Sequence, residues 1–336
     1  MSSSAPPQIL CLGEILFDDL ADQPGLPLAA VQSWSAYPGG ASANVACGLV
    51  KLGTAAGFIG CVGEDAAGDA LTQVLIREGV NIQGLQRHPQ APTRRVYVTR
   101  SLEGDRSFAG FGAVATTAFA DAQLRGDLIP ADCFTRAEYL VLGTIPLAYP
   151  QSRGAAEQAL SLAQSRGTQI VVDLNWRPVF WPDQKGAIPL IQTLLEQADF
   201  LKCADEEAQW FFNTQDLAAI QRRYPRLRGI LLTAGERGCR YLLGETQGKV
   251  PAFTLPVVDT TGAGDAFLAG FLCCALRDGV QLLTDPDAAR QAICYASAVG
   301  ALTTLGPGAI APQPRSWEVE HFLQFKQLPT RPWESE

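Results

Sequence analysis

The amino-acid sequence predicts an α/β protein in which a doubly wound, mainly parallel sheet is flanked by helices, with a smaller β layer beside it. Three observations lead there. Short apolar runs of strand character alternate with longer amphipathic runs along the chain. Several junctions between the two are made of glycine and other small residues, as expected where a strand turns sharply into a helix. At 336 residues, 47% hydrophobic and 18% charged, the chain can bury the core of one large layered domain. There is no internal repeat and no low-complexity linker. One domain is therefore expected over 1–328, followed by a loose tail over 329–336.

In chain order, Gln8–Leu12 is a short buried strand ending at Gly13-Glu14, with Asp18 and Asp19 following in an opening loop. Residues 26–38 are broken by prolines and suit short surface strands or loops. Gly39-Gly40-Ala-Ser-Ala-Asn44 opens a helix that Gly53 closes. A buried strand over 56–63 precedes an amphipathic helix over 64–79. Residues 93–100 alternate as an exposed strand, 102–107 turn, and 108–111 return, giving a β-hairpin away from the parallel core, a candidate lid. Strands follow at 138–143, 169–173, 200–202, 229–233, 239–243 and 249–256, and helices at 151–165, 187–197, 205–212, 265–278, 286–303 and 317–325. The apolar stretch 253–258 reads as the strand end that leads into Asp259-Thr-Thr-Gly262-Ala-Gly264-Asp265.

Composition narrows the function. A net charge of −8 argues against nucleic acid or an anionic membrane as the main partner. The first residues lack the basic start of a secretory signal, and no apolar run approaches the ~18 residues of a membrane span, so a cytoplasmic protein is expected. Nine cysteines without zinc-type pairing read as reduced core residues. His88 and His321 are isolated, which disfavours a Ser-His-Asp or Cys-His hydrolase. There is no P-loop, and Gly306-Pro-Gly308-Ala-Ile-Ala311 mimics a dinucleotide fingerprint in the wrong place, after a helix near the end of the chain.

The carboxylates at strand ends remain. Gly262, Ala263 and Gly264 leave the N–H groups of a helix N-terminus uncovered, where they can hold an anion, and Asp265 stands in the first turn. An anion cradle beside a carboxylate suits phosphoryl transfer to a hydroxyl, with Asp265 accepting the hydroxyl proton. Taken alone, Asp265 reads first as a helix-capping carboxylate, and the glycines on its N-terminal side turn the reading toward chemistry. Gly39 and Gly40 admit a polar ligand close to the backbone, and Asn44 offers a donor and an acceptor to a hydroxyl. The same small residues also serve tight helix–sheet packing, and that stretch leaves both readings open.

The two segments, Gly39-Gly40-Ala-Ser-Ala-Asn44-Val-Ala and Asp259-Thr-Thr-Gly-Ala-Gly-Asp265-Ala-Phe, resemble the two signatures of the PfkB/ribokinase family of carbohydrate kinases, and the likeness extends from Gly13 to about Gln324. The resemblance implies a ribokinase-like fold with a small β lid formed near 14–38 and 91–112. Asp265 would be the catalytic base, with Gly262, Ala263 and Gly264 as the anion hole. Asp18, Gly39, Gly40, Asn44 and Arg177 would hold the sugar. Thr233, Gly235 and Gly238 would line the ATP site together with Gly262 and Gly264. Glu207 would organise magnesium through water, although Ala204 stands where the family has an asparagine. Asp259 and Thr261, with the backbone near Thr303 and Gly308, would form a monovalent-cation site of the kind potassium fills in relatives.

Within the family, Asp173-Leu-Asn175-Trp-Arg177, then Lys202-Cys-Ala-Asp205-Glu-Glu207, is similar to fructokinases and 2-keto-3-deoxygluconate kinases. Gly235-Glu-Arg-Gly-Cys-Arg-Tyr241 leans toward fructokinases, which implies fructose converted to fructose 6-phosphate with ATP and Mg2+. The alternatives are a 2-keto-3-deoxygluconate kinase, a ribokinase, a nucleoside kinase, or a catalytically silent sugar- or nucleotide-binding protein on the same fold. After the hairpin, Phe108 to Thr117 lacks the arginine-asparagine-proline stretch of fructokinases, which bears on the choice of sugar. Arg95 and Arg106 stand as either substrate contacts or solvated hairpin charge. A homodimer joined through the lid is the assembly implied.

Overall fold

A computed structural model describes residues 6–101 and 106–325. The expected turn at 102–105, the side chain of Arg106 and the tail at 329–336 lie outside the described residues. Among the described residues thirteen strands are present: β1 (Ile9–Leu12), β2 (Leu16–Ala21), β3 (Trp34–Gly39), β4 (Ala56–Gly63), β5 (Asn81–His88), β6 (Arg95–Arg100), β7 (Arg106–Gly110), β8 (Tyr139–Gly143), β9 (Gln169–Asp173), β10 (Phe200–Ala204), β11 (Gly229–Thr233), β12 (Cys239–Leu243) and β13 (Thr246–Val250). The helices are α1 (Ala41–Lys51), α2 (Ala66–Glu78), α3 (Pro150–Arg166), α4 (Ala187–Leu195), α5 (Asp205–Phe212), α6 (Leu217–Arg223), α7 (Ala263–Asp278), α8 (Gln281–Thr284), α9 (Pro286–Thr303) and α10 (Ser316–Phe325).

Nine strands form one sheet in the order β13-β12-β11-β10-β9-β8-β1-β4-β5. From β11 to β5 every pairing is parallel, and β12 alone is reversed, pairing antiparallel with β11 and with the edge strand β13. Alternation along each strand divides the core in two. Leu10, Leu12, Leu140, Ile170 and Leu201 point to the face covered by α3 and α4. Ile9, Cys11, Val141, Val171 and Phe200 point to the face covered by α1, α7 and α9. Both faces being covered explains why these strands read as continuous apolar runs. A second sheet, β3-β2-β6-β7, stands apart from the first.

The sequence reading needs several corrections. Asp18 and Asp19 lie inside β2 rather than in a loop. β5 carries no apolar alternation because it is the polar edge of the large sheet. β13 stops at Val250, and 251–258 is irregular, so no strand leads into Asp259. Pro251 and Pro256 remove ladder donors there, and Val257 and Val258 face solvent at 59% and 64% exposure. The short α6 and α8 have no counterpart in the sequence pattern. The nine cysteines are free, and all but the half-buried Cys273 are buried. Among the described residues, no helix is long and apolar enough to cross a membrane.

Candidate active site

The site forms where α1 and α7 start side by side. The two helices run parallel in matched register: Asn44 Nδ2 donates to Asp265 Oδ2 at 2.8 Å, and one turn further Gly48 packs against Ala269. At Gly48 an added Cβ would fall 2.9 Å from the Ala269 Cβ, so the glycine sets the helix spacing and aligns the N-termini.

At the α7 end, Gly262 caps the helix with φ 77°, and a Cβ there would lie 2.7 Å from that of Ala309. The Ala263 N–H donates to the Thr260 carbonyl at 3.2 Å, so the open N–H groups of the first turn belong to Gly264 and Asp265. Asp265 is half-buried in the first turn of α7. Loss of water around it holds its carboxyl up, at about 6, against the opposing pull of Lys202, the Asn44 hydrogen bond and Arg177. A carboxylate with this environment is mostly ionised at neutral pH and basic enough to receive a proton.

At the α1 end, Gly40 has φ 104°, and a Cβ would strike the Glu14 carbonyl at 2.5 Å. Glu14 Oε1 accepts the Ala41 N–H at 2.7 Å and so caps the helix from outside it. Burial pushes the Glu14 carboxyl up to about 7. A Cβ on Gly39 would come 2.6 Å from Asp18 Oδ2, which places Asp18 on β2 beside the glycine pair. Gln313 Nε2 donates to the Asn44 carbonyl at 3.0 Å. Asn44 Oδ1, by contrast, is buried with no hydrogen-bond partner among the described residues.

The exits of β9 and β10 supply charge. Lys202 Nζ lies 3.1 and 3.0 Å from the two oxygens of Asp173, and both side chains are buried. Burial works against the Lys202 ammonium, but Asp173, Glu207 and Asp265 together outweigh it and hold its pKa above the usual lysine value. Asn175 adopts φ 36°, an uncommon conformation for a side-chain-bearing residue, in the loop that presents Arg177. Arg177 Nη1 is 3.7 Å from Glu207 Oε1, with its side chain 54% exposed. Glu207 Oε1 and Oε2 accept the N–H groups of Trp176 and Ala204 at 2.7 and 2.8 Å, tying α5 to that loop. Burial raises the Glu207 carboxyl above its ordinary range.

Asp259 organises the loop before α7. Its Oδ1 accepts the Thr261 N–H at 3.0 Å and hydroxyl at 2.7 Å, and its Oδ2 accepts the Gly308 N–H at 2.8 Å. Thr303 ends α9 nearby, its hydroxyl donating to Val299 at 2.8 Å, and the next carbonyl, that of Thr304, accepts the Val258 and Asp259 N–H groups. On the other side, Thr233 closes β11 and its hydroxyl reaches the Cys203 carbonyl at 3.4 Å. Gly235 is open to space, whereas Gly238 is glycine for packing, since a Cβ would meet the Val250 carbonyl at 2.1 Å.

Three charged residues take no role from the sequence pattern and become visible through their partners. They are Lys202, Glu14 and Arg94, the last fully buried against Asp121 at 2.7 Å beneath the second sheet. Arg95 is paired, though its side chain stays 40% exposed: it forks onto Asp19 with two 2.6 Å bonds and lies over Phe17.

The same geometry has relatives. Residues 6–316 match the model of the pfkB family carbohydrate kinases. The chain is 32% identical over 323 residues to probable fructokinase-5 of Arabidopsis thaliana, covering 95% of this chain and 98% of that one. Among solved structures it is similar to the fructokinase with bound ATP from Xylella fastidiosa, with TM-score 0.85, 30% identity and 94% and 98% of the two chains covered. It is also similar to a fructokinase double mutant of Vibrio cholerae O395 in its fructose, ADP and potassium ion bound form, with TM-score 0.81, 27% identity and 96% and 99% covered. The chain belongs to the pfkB family of carbohydrate kinases, phosphotransferases with an alcohol group as acceptor.

Proposed function

We propose that the chain moves the γ-phosphoryl group of ATP onto the primary hydroxyl of fructose, giving fructose 6-phosphate. The observation that carries this is Asn44, whose Nδ2 is spent on Asp265 while its Oδ1 is buried and unpaired. An unsatisfied buried acceptor costs about 1–3 kcal/mol, and a sugar hydroxyl donating to it would remove that cost. A polyol held there lies beside the carboxylate best placed to deprotonate it. Asp18, Gly39, Gly40 and Arg177 supply the remaining polar groups on the sugar side. Thr233, Gly235 and Gly238 run from the end of β11 to the start of β12, where the nucleotide would lie. The Gly262-Ala263-Gly264 turn would open the anion hole to its phosphates through the N–H groups of Gly264 and Asp265, that of Ala263 being held by Thr260. Fructose is favoured because relatives matching nearly the whole chain bear the name fructokinase, and the Vibrio protein holds fructose.

Among the described residues, no group of three or more His, Cys, Asp or Glu side chains could hold a metal ion. Magnesium would therefore arrive mainly on the nucleotide, neutralising phosphate charge. Each Glu207 oxygen already accepts one N–H and keeps a lone pair for a metal-bound water, which fits that role. Asp259 and Thr261, with the backbone of Thr303 and Gly308, make an oxygen-rich loop suited to potassium. The second sheet would act as the lid over the sugar and as the surface pairing two chains, in a cytoplasmic homodimer.

The test is ADP release with Mg–ATP and fructose, 2-keto-3-deoxygluconate, ribose or a nucleoside, with and without potassium. Fructose is expected to give the highest kcat/KM, and potassium to raise it. A higher value for another acceptor would replace the sugar assignment. No release with any acceptor would leave a silent binding protein. Elution at monomer mass across concentrations would remove the dimer.

A further inference from the structure

We infer that Lys202 is a catalytic residue of this phosphoryl transfer, its ammonium held by Asp173 against the anion hole so that one N–H donor faces the transferring group; the inference rests on the kinase reading above. Lys202 lies in β10, between β9 and β11, beside Asp173 in the parallel register. A buried lysine–aspartate pair in a sheet otherwise lined by Leu, Val and Ile is a poor stabilising device. Apolar replacements of such pairs are often neutral or favourable, so stability alone does not account for it.

Position supplies the account. A Cβ on Gly264 would lie 3.1 Å from Lys202 Nζ, so the ammonium sits against the first turn of α7. A cation at a helix N-terminus opposes the helix dipole. Two positive fields thus converge on one point, an arrangement that becomes favourable when an anion occupies it. Gly264 has no left-handed backbone to require a glycine, and what a side chain there would fill is the space in front of the ammonium. An ammonium has three donors. Among the described residues, its hydrogen bonds go to the two Asp173 oxygens and to no other acceptor. The group left facing the anion hole can follow the charge that spreads over the equatorial oxygens of the phosphoryl group.

The rival role is indirect, with Lys202 only keeping Asp265 ionised. Asp265 also faces Asn44 from α1, Asp173 from β9, Arg177 from the loop after β9, and more distantly Glu14. The two roles separate with pH. In the variant Lys202→Met/Asp173→Asn, which leaves no orphan buried charge, loss of a phosphoryl contact lowers kcat about 10²–10³-fold at every pH from 6 to 9, with the sugar KM little changed. Loss of base tuning alone would let kcat recover at pH 9, where Asp265 is ionised regardless. Recovery there to within threefold of the unmodified protein overturns the proposal. If the unmodified protein releases no ADP with any sugar, it is the kinase reading that fails instead.

A second measurement needs no stable variant at Lys202. The chain has five lysines, Lys51, Lys185, Lys202, Lys249 and Lys326, so 15N-lysine labelling gives few ammonium signals. Lys202 is assigned by substituting the other four one at a time. Its signal is expected to shift with fructose plus the Mg complex of a non-hydrolysable ATP analogue and to stay in place with AMP. A signal unmoved by the analogue overturns the assignment.

Discussion

The two ends of the cleft are built from different materials. At the α7 end, backbone N–H groups and a loop held by one carboxylate, Asp259, stand beside the Lys202 ammonium and the Asp265 carboxyl, and glycines keep that backbone bare. At the end nearer the second sheet, the polar groups are side chains, with two ion pairs close by, Asp19 with the part-exposed Arg95 and the buried pair of Asp121 with Arg94. Phosphate is the same in every phosphoryl transfer, so a backbone cradle serves any acceptor. A sugar is told from its isomers by individual hydroxyls, which calls for side chains that can vary. Changes at the first end should therefore alter turnover with the fold intact, and changes beneath the second should act through folding and the sugar KM.

The largest expected effect is at Asp265. Asp265→Asn should lower kcat by about 10²–10⁴ while ATP affinity, measured by calorimetry, stays roughly constant. Unchanged turnover would remove Asp265 as the base. With the Asp265 carboxyl held at about 6, kcat/KM in the unmodified protein should fall about tenfold per pH unit below that value, because the base must be ionised. An acid limb that begins near pH 4 would place the essential carboxylate elsewhere.

Next comes the underside of the second sheet. Arg94 is fully buried, with its guanidinium over Phe119 at 4.5 Å and Phe111, Phe180 and Tyr149 close by, and it donates to Asp121 and Thr116. Arg94→Met strands Asp121, whose Oδ1 already lacks a partner among the described residues, and should cost about 3–5 kcal/mol in denaturant unfolding. Arg94→Met/Asp121→Asn should recover much of that loss. A single variant as stable as the parent would mean that Asp121 escapes to water, and the contrast between the two ends would weaken.

Gly262→Ala probes the backbone cradle itself. With φ at 77° and Ala309 within 2.7 Å of the new Cβ, strain of about 1–3 kcal/mol is expected, together with a lower kcat from a displaced anion hole. If stability falls while kcat holds, the first turn of α7 tolerates movement and the cradle is less rigid than its glycines suggest.

This contrast also explains which features the sequence made legible. Gly39, Gly40 and Gly262 are forced by close approach or positive φ, and such constraints leave a pattern of small residues at fixed spacing. The central strands are covered on both faces, so β1, β4, β8, β9 and β11 stand out as apolar runs. β5, at a polar edge, does not, and the apolar 253–258 stretch misleads because its valines face solvent. Lys202, Glu14 and Arg94 are single charges set in or next to apolar segments. What makes each of them functional is a partner distant in sequence, Asp173, Ala41 or Asp121, and no local pattern records that pairing. For the same reason, Arg95 looks like hairpin surface charge until Asp19 is seen beneath it.

The smallest effect tests the joint between the two ends, at Glu14. Its carboxyl accepts the Ala41 N–H and is pushed by burial to about 7. A folded-state value above the unfolded one means that the folded protein holds the proton more tightly. The stability this contributes is complete below about pH 4.5 and is lost as pH rises through about 7. Asp265 acts with the same sign, but its window closes earlier, near pH 6. Glu14→Gln keeps an oxygen to accept from Ala41 and removes the titration. It should flatten unfolding free energy between pH 6 and 8 and raise it by on the order of 1 kcal/mol at pH 8, with kcat little changed. A parent protein whose stability is already flat over that interval would mean that water reaches Glu14. The cap on α1 would then be a carboxylate at every working pH, and the helix carrying Asn44 would be held by a charge-assisted hydrogen bond rather than by a neutral one.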